Sequence, residues 1–172
     1  RLTDLTTLSW MTNPDKLTGL LVSGNELKDL TGVEVLTGLE TLSVGDNRLT
    51  DIEEISALKN LRYLFAENNQ IESLKGLDEM EKLVSAELHK NNLTDLEGLG
   101  DLPNLTRISL ADNKISNLEG IQRLINLKEL TINENESLTD ITLLFAMEHL
   151  ESVQLYKTAV SDADILRLAG FH

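Results

Sequence analysis

The 172 residues are predicted to form an α/β solenoid, a right-handed horseshoe with a parallel β-sheet on its concave side and 3₁₀ or extended turns on its convex side. Three observations predict it. Asn25, Asn47, Asn69, Asn91, Asn113 and Asn135 stand in strict register, each 22 residues after the last. The segments before them alternate apolar and variable residues, as in Leu42-Ser43-Val44 and Ile108-Ser109-Leu110, which is the period of a half-buried strand. After each asparagine the apolar spacing becomes three, as in Ile115, Leu118, Ile121, Leu124 and Leu127, and that suits 3₁₀ or extended turns better than α-helix in so short a unit. A fixed period of this length means coils stacked one on the next. Successive strands, separated by a full coil, must then pair in parallel.

Taken in order, the chain reads as one domain over residues 1–172. Residues 1–16 form a partial first repeat, since Arg1-Leu2-Thr3-Asp4 repeats the wording of residues 48–51. The chain opens in mid-pattern, as expected of a fragment or processed product. Between Met11 and Leu17 the framework is about three residues too long, and Asn13-Pro14-Asp15 supplies the turn chemistry of that insertion. Residues 17–160 make about seven coils, of which residues 61–83 are one complete copy: Leu61, Leu64, Ala66, Ile71, Leu74, Leu77, Met80 and Leu83 face inward, with Asn69 fixed among them. From Leu138 to Leu155 the apolar framework runs one position late, and Thr158 stands where a seventh asparagine is expected. Terminal repeats are commonly atypical because one face lacks a neighbour. Residues 161–172 read as a capping helix, with Ser161 as its N-cap and Gly170 near its end.

Each column of the repeat has its own physical reading. A coil that turns sharply after its strand strands backbone N–H and C=O groups away from any ladder, and an inward amide satisfies both kinds. The six asparagines are therefore expected to be structural. Four residues further on, Asp29, Asp51, Ser73, Asp95 and Asn117 read as turn caps, and seven further on, Gly32, Gly76, Gly98 and Gly120 suit tight backbone passage where Glu54 alone interrupts. Stacked carboxylates would welcome a calcium ion, but Ser73 and Asn117 break that column. No metal and no cofactor are expected.

Composition narrows the partner. With 29 acidic against 15 basic residues the formal charge is −14, which disfavours nucleic acid and anionic membrane surfaces. No run of about 18 apolar residues offers a membrane span. The absence of cysteine removes disulfide caps, thiolate metal sites and cysteine nucleophiles together. His89, His149 and His172 lie far apart, and no zinc-protease, nucleophile-elbow or phosphate-loop motif occurs. The chain is expected to be a monomer without catalytic activity.

The columns between the framework positions point to the concave face, carry no structural duty and vary. Three of the five Phe and Tyr residues stand there, Tyr63, Phe65 and Tyr156, accompanied by Glu67, Glu87, His89, Arg107, Asn133 and Gln154. Aromatics surrounded by polar groups have the composition of a protein-binding hot spot. Tyr and Phe also simply suit β positions.

The repeat wording resembles the internalin-like class of bacterial leucine-rich repeats, whose unit is N-x-I-x-D-L-x-x-L-x-x-L-x-N-L; here it reads NRLTDIEEISALKNL from Asn47, NNLTDLEGLGDLPNL from Asn91 and NKISNLEGIQRLINL from Asn113. The chain is also similar to the phosphatase-1 regulatory subunit type. Gly76, Gly98 and Gly120 fall near where many internalins carry a convex proline. The resemblance implies a leucine-rich repeat fold that binds a protein partner, such as a host receptor, in adhesion or host interaction at a bacterial cell surface or after secretion. Alternatives it leaves open are an intracellular scaffold of the phosphatase-regulator type and a structural spacer within a larger surface protein.

Overall fold

The computed structural model describes residues 1–170. Phe171 and His172, the last residues of the expected 161–172 cap, lie outside the described residues. Every strand is three residues long because only the middle residue and its flanks alternate before the chain turns inward. The strands are β1 (Gly19–Leu21), β2 (Thr41–Ser43), β3 (Tyr63–Phe65), β4 (Ser85–Glu87), β5 (Arg107–Ser109), β6 (Glu129–Thr131) and β7 (Ser152–Gln154). Among the described residues they form one parallel sheet in sequence order. Register advances by one repeat from β1 to β6, as in Thr41 opposite Tyr63. Between β6 and β7 Glu129 pairs with Ser152, so the late framework of the last coil is absorbed outside the sheet.

Inside, identical positions stack as columns. Leu42, Leu64, Ala86, Ile108 and Leu130, the middle residues of β2 to β6, are all buried, and the convex Leu and Ile residues close on them to make one continuous core. Burial of each Leu or Ile stabilises by roughly 1.5–3 kcal/mol as an upper estimate.

The asparagine column rivets each coil to the one before it. Asn91 Oδ1 accepts from Ile71 N–H at 2.9 Å, while its Nδ2 donates to Leu88 O in its own coil and to Ala66 O in the preceding one, both at 3.0 Å. Asn47, Asn69, Asn113 and Asn135 repeat this arrangement. Asn25 accepts from Leu2 N–H and donates to Val22 O of its own coil. At Thr158 the hydroxyl donates to Leu155 O of its own coil, at 2.7 Å, and to no other group among the described residues.

Immediately before each ladder residue the backbone is left-handed. Gly24, Asp46, Asn68, Lys90, Asp112, Glu134 and Lys157 have φ between 51° and 72°. This conformation swings the following amide inward. On the convex side Gly32, Gly76, Gly98 and Gly120 also have positive φ, from 90° to 105°. A Cβ on Gly76 would stand 2.5 Å from Ile52 O of the previous coil, so this position holds glycine for both conformation and space, whereas at Gly120, with Leu96 O 4.0 Å away, conformation alone asks for it.

The convex connections include 3₁₀ segments at Val33–Val35, Glu53–Ala57, Ile121–Arg123 and Thr142–Ala146, while residues 94–105, which hold Gly98, Gly100 and Pro103, pass as plain turns. Asp29, Asp51, Asp95, Asn117 and Asp140 each accept the N–H two residues on, and Ser73 does so through its hydroxyl. They are turn caps. At the amino end a 3₁₀ segment at Thr6–Trp10 matches the convex one at Glu53–Ala57, a second at Pro14–Lys16 carries the insertion, and Asn13 is left-handed at φ 59°. At the other end α1 (Asp162–Ala169) is capped by Ser161, whose Oγ accepts from Asp164 N–H at 3.2 Å. Arg167 lies 4.6 Å from the centre of the Phe145 ring and ties α1 to the last convex turn. No helix among the described residues is long and apolar enough to cross a membrane.

Candidate functional site

Residues flanking each strand's buried centre project from the concave face. On β3 these are Tyr63 and Phe65, followed on the same side by Glu67. Register places Tyr63 between Thr41 and Ser85, and Phe65 between Ser43 and Glu87. Small neighbours leave the Tyr63 ring standing clear of the sheet, 37% exposed, with the Arg62 guanidinium 5.9 Å from its centre. Phe65 is half-buried.

Glu67 lies back over Gly45 of the preceding coil, where any Cβ would collide with its carboxylate. One of its oxygens, Oε2, is buried and has no hydrogen-bond partner among the described residues. On the next coil the Glu87 carboxylate approaches His89 Nδ1 at 3.6 Å, a contact that is ionic only when the imidazole is protonated. One strand further, Arg107 Nη2 meets both Glu129 oxygens, at 2.8 and 2.7 Å. That hydrogen bond and charge hold the Arg107 guanidinium more firmly protonated than usual.

Tyr63, Phe65, Glu67, Glu87 and His89 thus form one cluster on neighbouring strands, with the Arg107–Glu129 pair beside it. Gln154 and the 58% exposed Tyr156 are not part of it: four strand spacings separate β3 from β7, roughly 19 Å. Asn133 requires a correction. Expected on the contact surface, it is only 2% exposed, and its Oδ1 has no hydrogen-bond partner among the described residues. Its column lies two residues past the strand, where the chain turns toward the ladder, and Gly45 and Ala111 of the same column are buried too.

Two features escaped the sequence reading. One is the left-handed column, signalled by Gly24, Asp46, Asn68 and Asp112 but disguised by Lys90, Glu134 and Lys157. The other is a second, exposed amide column, in which Asn60, Asn104 and Asn126 donate to Thr37 O, Glu81 O and Pro103 O at 2.7–2.9 Å. The recurrent L-x-N-L wording was its signal. Among the described residues no three His, Asp or Glu side chains converge on a metal-binding geometry.

The repeat, the parallel sheet and the asparagine ladder define a class, and comparison agrees: the chain belongs to the leucine-rich repeat family, whose two-copy pattern matches residues 37–79 and 81–123. Within that family it is internalin-like. An internalin C2 of Listeria monocytogenes is 25% identical with a TM-score of 0.81, over 96% of this chain and 71% of that one. The internalin InlF of the same organism is 24% identical, TM-score 0.65, over 91% of this chain and 52% of its own. The functional domain of InlJ, also from Listeria monocytogenes, includes a cysteine ladder; it is 23% identical, TM-score 0.79, over 93% and 36%. This chain, which has no cysteine, spans about half the length of InlF and about a third of that InlJ chain. No curated protein matches it by sequence.

Proposed function

We propose that the concave face binds a protein partner and that the chain serves in bacterial cell-surface adhesion or host interaction. Leucine-rich repeats are a protein-interaction fold, and the internalin likeness supports the biological half of this reading. The observation that carries the molecular half is the aromatic pair on β3, the exposed Tyr63 and the half-buried Phe65, on a sheet whose neighbouring concave positions are small or charged. Among the described residues the buried core is built from Leu, Ile, Val, Ala and Met without an aromatic, and aromatics on the outer face of the sheet are what an interface needs. Seven strands at about 4.8 Å give a face roughly 30 Å long, which suits a protein epitope of about 800 Å² per side.

A capture experiment from host-cell surface extract tests it, with the wild-type chain beside a Tyr63→Ser, Phe65→Ser, Tyr156→Ser variant of verified melting temperature. One protein enriched by the wild type and lost from the variant is the expected result. Equal recovery by both baits overturns the concave-face assignment.

A further inference from the structure

We propose that the cluster around Phe65 is a receptor for an arginine side chain of the partner, an inference that rests on the concave-face reading above and names the chemistry of its central contact. Phe65 is bracketed by two carboxylates: Glu87 is its register partner on β4, and Glu67 follows it on the same side of β3. A planar guanidinium stacks on an aromatic face while its edge N–H groups meet carboxylate oxygens, two surfaces that its fixed fork of donors satisfies better than the point charge of a lysine. The ring beside it already attracts such a group, since Arg62 of this chain lies over Tyr63.

Charge complementarity singles out this spot. The other concave acid, Glu129, is neutralised by Arg107. Glu87 has the His89 imidazole nearby, an ion pair solely in the protonated state, and feels the charge of Arg107, whose hydrogen bond goes to Glu129. Glu67 Oε2 is buried without a hydrogen-bond partner among the described residues, and Gly45 beneath it supplies the space the carboxylate occupies. A carboxylate oxygen without a donor, seated beside the exposed Tyr63 and the half-buried Phe65, is what ligand binding leaves behind. The chain as a whole, at −14, draws a basic surface toward it.

The test uses capped tripeptides, Gly-Arg-Gly beside its lysine and norleucine counterparts, titrated against the wild-type chain and a Glu67→Gln, Glu87→Gln variant while the aromatic proton resonances of Tyr63 and Phe65 are followed. Saturable shifts with the arginine peptide, weaker by about fivefold or more with norleucine or in the double variant, are expected. Lysine should fall between. The variant's melting temperature, level with or above wild type, shows that the loss is not unfolding. Shifts that are equal for arginine and norleucine, or unchanged in the variant, overturn the arginine site. Applied to the capture experiment, the double variant separates the two readings. A partner lost from the Ser variant but kept by the Gln variant retains the concave interface and removes the arginine contact; a partner kept by both removes each.

Discussion

Two columns of the same 22-residue unit behave oppositely. At the ladder position asparagine recurs six times and does one thing, joining its own turn to the coil before it. Two, four and six residues earlier the concave positions hold Gly, Ser, Thr, Phe, Tyr, Glu, His and Arg, and the sheet accepts all of them. Repetition therefore marks what the fold requires, because every coil poses the same hydrogen-bonding problem. Variation marks where the fold is indifferent and a ligand can choose.

The sharpest way to break that contrast is Asn91→Leu. Ile71 N–H loses its acceptor, and Ala66 O and Leu88 O lose their donor, all within the core. At about 1–3 kcal/mol for each buried group left unpaired, a loss of about 3–5 kcal/mol and a fall in melting temperature of about 10 °C by calorimetry are expected. The Tyr63→Ser, Phe65→Ser, Tyr156→Ser variant removes far more side-chain volume, yet its melting temperature should stay within about 3 °C of wild type, because none of the three belongs to the hydrophobic core. Lys90→Gly should act in the other direction. Lys90 holds φ at 57°, which costs a residue with a Cβ about 1 kcal/mol, so the glycine variant should melt about 2 °C higher.

The smallest expected effect comes from Glu54, which stands where the convex column otherwise holds glycine. Burial raises its carboxyl above the ordinary value, opposed by a backbone hydrogen bond and reinforced by Asp51, Asp29 and Glu34. A carboxyl that binds its proton more tightly in the folded than in the unfolded state leaves the fold most stable in acid, and that stability is lost as pH rises through the raised pKa. Glu54→Gln should then gain about 1 °C near neutral pH and nothing in acid, as melting curves across that range will show.

How much of this was legible in advance follows the same division. Asn69 and Leu64 could be placed from spacing alone, because a column repeated in every coil averages out local accident. The caps at Asp51 and Asp95 and the tight passage at Gly76 were legible for the same reason. What a single coil does differently was hidden. Asn133 is buried and Glu67 lies on Gly45 because of which residues happen to sit one coil away, and no period announces such neighbours. Lys90 adopts a glycine-like backbone because the turns on either side impose it, against its own preference. Of the candidate site, membership of the face was readable for Tyr63, Phe65, Glu87 and Arg107, whereas the Arg107–Glu129 pairing and the bracketing of Phe65 needed coordinates.

Each strand pairs only with the one before and the one after, and each ladder amide spans a single boundary. Tension applied between the two ends therefore loads these boundaries in series, like links of a chain, and not side by side. The molecule should yield one coil at a time, each release paying out about 70 Å of slack. A module built in this way absorbs tension stepwise while the coils still standing keep their structure.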